Sequence, residues 1–325
     1  MGKKTAPQKL PQNILDLFEE AKASNTKKAY VSDLVIFYDW LDQRPEEEKL
    51  PISQHAVIEY LIERSETDAL STLKRRLSSI SWLHLCAGYS REDNPGKSSL
   101  VLEVLKSLKV KYAREDRQVI DEAAPLDLEQ IREMVMLCKA DKNIVRGARD
   151  RAIILLGFSG GLRRSEIVAL KWGDIQEVVE GLEITVRKSK TDQQGKGAVV
   201  RCYRGSVPAT CPVRALADWR SHCADFSGHI FRRLSKSGKL LAPLARSGQS
   251  INRIIQHRAR EMELPDWKDY SAHSLRRGFA STAIKKGASI RAVMTQGRWL
   301  REETLMIYVK NKENWESAAS AKLGL

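Results

Sequence analysis

The sequence predicts a mainly α-helical protein of two domains: an N-terminal domain of four to five helices, then a larger α-rich domain carrying a small antiparallel β-sheet. Three observations predict it. Apolar residues recur at three- and four-residue steps over most of the chain, the period of a helix with one buried face. Residues 182–190 and 198–203 alternate instead, as half-buried strands do. Between the two helical blocks, residues 111–125 are charged and poor in apolar side chains, which reads as an exposed linker.

Residues 1–23 form a polar lead, and the first domain spans residues 24–110. Thr26, Tyr30, Asp33, Phe37 and Trp40 are spaced as on one face of a first helix. Residues 45–51 make a charged connection. Ser53 is suited to cap a second helix running through Tyr60 and Leu61, because its hydroxyl can accept a free backbone N–H of the first turn. Leu70, Leu73, Leu77, Ile80 and Leu83 mark a third helix, closed by Gly88. Asn94-Pro95-Gly96 reads as a turn, and Val101, Leu105 and Leu108 as a fourth helix.

The second domain spans residues 126–325. Pro125 stops the linker and Asp127 caps a helix through Ile131 and Val135. Ala152-Ile153-Ile154-Leu155-Leu156 reads as a buried helix ending at Gly160-Gly161. The two strands follow, joined by a polar loop over residues 191–197. After Cys211-Pro212 the pattern is helical to the end, with a short apolar helix (Trp315, Ala318, Ala319, Leu323) over about residues 313–325. No internal repeat is visible.

Composition narrows the function. The chain has 325 residues and a formal net charge of +14, with a pI of about 9.6, so an acidic polymer is the natural partner. No run is long and apolar enough to span a bilayer, the start has no signal-peptide pattern, and Thr5 and Ala6 break a myristoylation reading of Gly2. Cys86, Cys138, Cys202, Cys211 and Cys223 are odd in number and lack C-x-x-C spacing. They read as reduced thiols of a cytoplasmic protein, without a zinc site. No Walker-type glycine loop is present, so ATP is not implied. The expectation is no metal, no cofactor and no membrane.

The chemistry-bearing residues fall in a definite order. Ser159-Gly160-Gly161-Leu162-Arg163-Arg164-Ser165-Glu166 puts an arginine near a carboxylate. Lys190 ends Arg187-Lys188-Ser189-Lys190. His273-Ser274-Leu275-Arg276 is a His-x-x-Arg, Trp299 follows in Gln296-Gly297-Arg298-Trp299, and Tyr308 lies nine residues beyond Trp299. Each piece alone is common. Together, two arginines, a lysine, a histidine and a late tyrosine are what metal-free attack on a phosphodiester needs. Attack builds charge on the non-bridging oxygens, and a planar guanidinium donates two bonds to them without losing its proton. A phenol needs cations and a base nearby to act as nucleophile at neutral pH.

This set resembles the tyrosine recombinase (phage integrase) family, and within it the simple two-domain, Cre-like members. The resemblance runs from about Ser24 to the end and is strongest over residues 149–172 and 270–311. It implies a core-binding helical domain and a catalytic domain. Arg163 and Arg276 match the family's arginine pair, with Arg164 and Arg277 read as solvated or backbone-contacting charges. Tyr308 matches the nucleophile, forming a 3′-phosphotyrosine link that needs no ATP to religate. Lys190 matches the β-hairpin lysine that protonates the leaving 5′ oxygen; Lys188 lies on the same strand face, and geometry alone does not separate them. His273 trades protons with Tyr308 or bonds the phosphate. Trp299 stands where many members carry a second histidine, and its indole donates a hydrogen bond without transferring a proton. Glu166 reads either as an orienting carboxylate or as a surface helix residue. Tyr270 reads as packing.

For DNA, Lys28, Thr72 and Arg75 fall where Cre-like proteins make contacts, on the polar side of helices. Gln249, Ser250 and Arg253 open a helix rich in base-reading side chains, whereas Arg232, Arg233 and Lys236 suit phosphates. The resemblance implies double-stranded recombination sites with inverted half-sites and a homotetramer closed head to tail through the C-terminal helix. It also implies action at a bacterial, phage or plasmid nucleoid, and leaves no room for a separate arm-binding domain. Other readings of the same residues are a type IB topoisomerase, a telomere-resolving enzyme, and a DNA-binding protein of this fold without catalysis. No RNA-binding motif supports an RNA partner.

Overall fold

The computed structural model describes residues 25–44, 46–115, 117, 124–187, 197–244 and 248–309. The chain divides into two compact units, Met1–Asp121 and Glu122–Leu325. Among the described residues no helix is long and apolar enough to cross a membrane.

Among the described residues the N-terminal unit packs four α-helices, α1 (Asn25–Leu41), α2 (Gln54–Ser65), α3 (Leu70–Cys86) and α4 (Ser99–Arg114). Ser53 caps α2, its hydroxyl accepting from the Ala56 N–H at 3.0 Å. Gly88 ends α3 with a φ of 84°, the left-handed turn that glycine adopts without strain. The face that α1 buries is Leu34, Phe37, Tyr38, Trp40 and Leu41 around the fully enclosed Tyr60. Thr26 is exposed, so the buried stripe lies further round the helix than its spacing from Tyr30 and Asp33 suggests. The expected linker edge also shifts. Helix α4 continues to Arg114 because Tyr112 is buried in this core, its hydroxyl donating to the Ser65 carbonyl at 2.8 Å.

The C-terminal unit is built on α5 (Leu128–Lys139), α6 (Ile144–Ser159), α7 (Arg164–Ala169), α8 (Pro212–Ser221), α9 (Gln249–Glu261), α10 (Ala272–Lys285), α11 (Ile290–Gly297) and α12 (Glu302–Val309). Asp127 and Gln130 cap α5 reciprocally, at 2.9 and 3.0 Å. Helix α6 is buried nearly all round, through Ala152, Ile153, Ile154, Leu155 and Leu156, and so forms the spine of the core.

Two sheets flank these helices. One is an antiparallel three-strand sheet in the order β1 (Ile175–Glu177), β2 (Gly181–Val186), β3 (Ala198–Tyr203). Among the described residues its β2–β3 register runs from Gly181 opposite Tyr203 to Val186 opposite Ala198, and the last residues of the expected 182–190 strand, 188–190, lie outside the described residues. The other pairs β4 (Arg232–Leu234) with β5 (Leu240–Pro243). This second hairpin corrects the expectation of unbroken helix after Pro212: its strands are too short to show a two-residue period.

A buried ion network ties α9 to the start of α6. The Arg258 guanidinium, 1% exposed, donates to Asp141 at 2.6 Å, to Asp150 at 2.7 Å and to Glu261 at 2.8 Å. All five cysteines are free thiols. Cys138, Cys202 and Cys211 are buried in the C-terminal unit, while Cys86 and Cys223 are half-buried. Burial pushes Cys138 up to about 12 and Cys202 up to about 11.

Candidate active site

Five elements of the C-terminal unit bring one cluster together. Helix α6 ends at Ser159, and Gly161 turns the chain with a φ of 52°. A side chain at Gly161 would meet the Phe279 ring at 2.8 Å, so glycine is needed for space as well as conformation. The turn delivers Arg163 to the position just before α7, with Glu166 in the first turn of that helix. The Glu166 carboxylate accepts the Arg163 backbone N–H at 2.7 Å and its Nη1 at 2.9 Å. Glu166 is therefore no surface carboxylate: it is 3% exposed.

His273 and Arg276 lie one turn apart on α10. Arg276 is 2% exposed; its Nη1 donates to the Gly161 carbonyl, and its guanidinium lies 3.8 Å from the centroid of the Trp299 ring. Trp299 is seated by Gly297, where any Cβ would fall within 1.6 Å of the indole. Tyr308, on α12, places its hydroxyl 3.1 Å from His273 Nε2. Its ring lies 5.4 Å from that of His273 and 5.9 Å from that of Trp299.

The charges in this cluster are unbalanced. Burial, then the cations of Arg163 and Arg298, push the Arg276 pKa down to about 9. Loss of hydration on its protein side, then Arg276, Arg277 and Arg163, push His273 down to about 4. The outer edge of that imidazole is still open to solvent, so the cationic neighbours matter beside the desolvation. His273 is neutral at pH 7 and Arg276 is still charged. Neutral Nε2 can accept the Tyr308 proton, and the surplus positive charge is complementary to a phosphate.

Arg163, Glu166, His273, Arg276, Trp299 and Tyr308 thus meet in one place. Lys190 and its rival Lys188 lie outside the described residues, as does the tail helix at 313–325. Two residues of the cluster were not legible in advance. Arg277 was expected to be solvated or to contact backbone, yet it is 2% exposed with its guanidinium 5.2 Å from the Tyr308 ring centroid. Arg298 is buried against Glu166 at 2.5 Å. By contrast Arg164 is exposed, its stem lying over Gly248, and Tyr270 is packed into the core.

The candidate DNA residues are spread over both units. Lys28 is exposed on α1 and Thr72 half-buried on α3. Arg75 is held by the buried Asp33 in a two-pronged pair at 2.8 and 2.9 Å. Arg233, Lys236 and Arg253 are exposed. Arg232 is half-buried and donates to the Leu241 carbonyl at 2.7 Å. Gln249 and Ser250 open α9, where the neighbouring Asn252 is occupied by the Ala272 N–H at 3.2 Å.

Residues 125–314 match the model of the phage integrase family. The chain belongs to that family. Residues 14–87 match its N-terminal SAM-like domain. An integrase/recombinase XerD homologue of Selenomonas ruminantium is 30% identical over 292 residues, covering 90% of this chain and 83% of the relative. The Cre recombinase of Escherichia phage P1 is 24% identical, covering 96% and 92%. Among solved structures, the XerH site-specific recombinase bound to a palindromic difH substrate superposes with a TM-score of 0.66 at 17% identity, covering 98% of this chain and 91% of that one. A λ integrase core-site complex gives 0.61 at 14%, covering 94% and 97%. The chain is therefore an enzyme, a DNA recombinase of the tyrosine type, with the family's two-domain fold.

Proposed function

We propose that this recombinase cuts and rejoins DNA with Tyr308 as nucleophile. The Tyr308 oxygen forms a bond to the scissile phosphorus, the bond to the 5′ oxygen breaks, and a 3′-phosphotyrosine link results. His273 Nε2 takes the phenolic proton, and Lys190 gives a proton to the departing 5′ oxygen. Arg163 and Arg276 hold the non-bridging oxygens, with Glu166 orienting Arg163 and Trp299 bracing Arg276. Arg277, beside the Tyr308 ring, adds to the field that favours a phenolate. The guanidiniums supply the electrostatic stabilisation that a metal would otherwise give, and the conserved bond energy removes the need for ATP.

The observation that carries this reading is the 3.1 Å contact between the Tyr308 hydroxyl and an imidazole that is neutral at pH 7. We further propose a homotetramer on two sites with inverted half-sites, joined through the C-terminal helix. In this assembly Lys28, Thr72 and Arg75 contact DNA from the first unit. Arg232, Arg233, Lys236, Gln249, Ser250 and Arg253 do so from the second. The family membership and the net charge of +14 support a DNA partner.

The test is a covalent adduct. The protein is incubated without metal or ATP with duplex DNA from its own genetic neighbourhood, and any protein–DNA link is mapped by mass spectrometry. An adduct on Tyr308, lost in Tyr308→Phe while duplex binding persists, is expected. An adduct on another tyrosine overturns the nucleophile assignment.

A further inference from the structure

Arg298 stands next to Trp299 but does a different job. Its main chain has a φ of 59° and a ψ of 46°, the left-handed conformation that side chains other than glycine rarely adopt. It sits directly after α11, where glycine is the usual residue. An arginine kept there, 8% exposed at the side chain and with its Nε lacking a hydrogen-bond partner among the described residues, needs a reason in its guanidinium.

Its contacts supply one. Arg298 Nη2 donates to Glu166 Oε2 at 2.5 Å and approaches the Gly161 carbonyl at 3.5 Å, the same carbonyl that receives Arg276. Nη1 donates to the Gln296 carbonyl at 2.9 Å. The carbonyl of Arg298 in turn accepts Arg163 Nη2 at 3.3 Å. One carboxylate, 1% exposed at its side chain, is therefore held by two arginines. A buried carboxylate paired with Arg163 alone would make a neutral couple and take up the charge that a phosphate needs. With a second cation on Glu166, positive charge is left over at Arg163.

We propose that Arg298 is a positioning residue for strand transfer: it saturates the Glu166 carboxylate and steers Arg163 through its own carbonyl, leaving the Arg163 charge for the scissile phosphate. This rests on the catalytic reading above. A purely structural role, burying an ion pair with Glu166, would show in the melting temperature and leave strand transfer and phosphate binding by the folded protein unchanged, so the decisive experiment pairs the two residues and reads those activities.

Arg298→Met, Glu166→Gln and the double variant are compared with wild type in single-turnover adduct formation. Arg298→Met should slow the step about 10–100-fold with duplex affinity held within about threefold, and the double variant should recover most of that loss. Should Arg298→Met fail to fold, Arg298→Gly, which relieves the left-handed backbone, must show the same loss. The same set is titrated with inorganic phosphate, counting only binding that Arg276→Met abolishes. Arg298→Met should weaken it about tenfold, and added Glu166→Gln should restore it. Absence of an adduct in wild type defeats the catalytic reading, while the phosphate cycle still decides the role of Arg298. Variants that bind and cleave like wild type, or a double variant no better than Arg298→Met, overturn the proposal.

Discussion

Replacing Gly297 by alanine adds one methyl group and should dislodge Trp299. The new Cβ would stand 1.6 Å from Cζ3 and 2.2 Å from Cε3 of the indole, far inside van der Waals contact. Gly297 is the last residue of α11 and has no positive φ. In an open helix the same change would stabilise by about 1 kcal/mol. Here the ring must move. Trp299 is 7% exposed, and losing a buried tryptophan costs about 3–5 kcal/mol. Separating it from the Arg276 guanidinium costs ~1–2 kcal/mol more. Some packing returns as the indole finds a new seat, so a net loss of about 3 kcal/mol is expected, lowering the melting temperature of a unit this size by about 6–12 °C. Arg276 would lose the surface that fixes its plane, and adduct formation should fall about 100-fold. Scanning calorimetry and single-turnover cleavage measure the two effects. Gly173→Ala, where a Cβ meets nothing within 4 Å, is the matched control. A Gly297→Ala protein that melts within about 1 °C of wild type and cleaves at its rate would refute the steric account.

Two further outcomes follow from the histidines. His84 is fully buried, its Nε2 accepting the Ile52 N–H at 3.1 Å, and burial holds its pKa below the usual value. The unfolded chain takes up a proton near pH 6.5 that the folded state resists, so stability falls as pH drops below about 6.5. Urea midpoints of the protein between pH 7.5 and 5 should fall accordingly, and His84→Gln should flatten the slope. His273, pushed down to about 4 by lost hydration and then by Arg276, Arg277 and Arg163, should show no ring titration by NMR between about pH 5 and 8. A midpoint near 6.5 would contradict the charge balance described for the site.

The residues that meet at the site were legible because strand transfer draws on few residue types and the chain presents them in one order. Arg163, His273, Arg276, Trp299 and Tyr308 each carry a side chain that the chemistry can name. What stayed hidden depended on burial. Arg277 was set aside because neighbours on a helix point about 100° apart. Yet α10 is covered on most of its circumference, with Leu275, Arg276, Arg277 and Gly278 all buried, so both arginines are enclosed. Arg298 carries no sequence signal of its own, because nothing local marks a left-handed arginine. The Glu166 that receives it lies 132 residues away in sequence. The β4–β5 hairpin escaped for a different reason: strands this short, one rich in arginine and one ending in proline, carry no readable alternation.

The distribution of thiols offers a practical opening. Cys138, Cys202 and Cys211 are buried in the C-terminal unit, and thiols out of reach of solvent react slowly. That leaves one half-buried cysteine in each unit, Cys86 at the end of α3 and Cys223 just beyond α8. The native chain thus carries its own pair of attachment points for a donor and an acceptor dye, one on each side of the junction at Asp121. Energy transfer between them would follow, without any introduced cysteine, whether the two units change their separation when a duplex arrives.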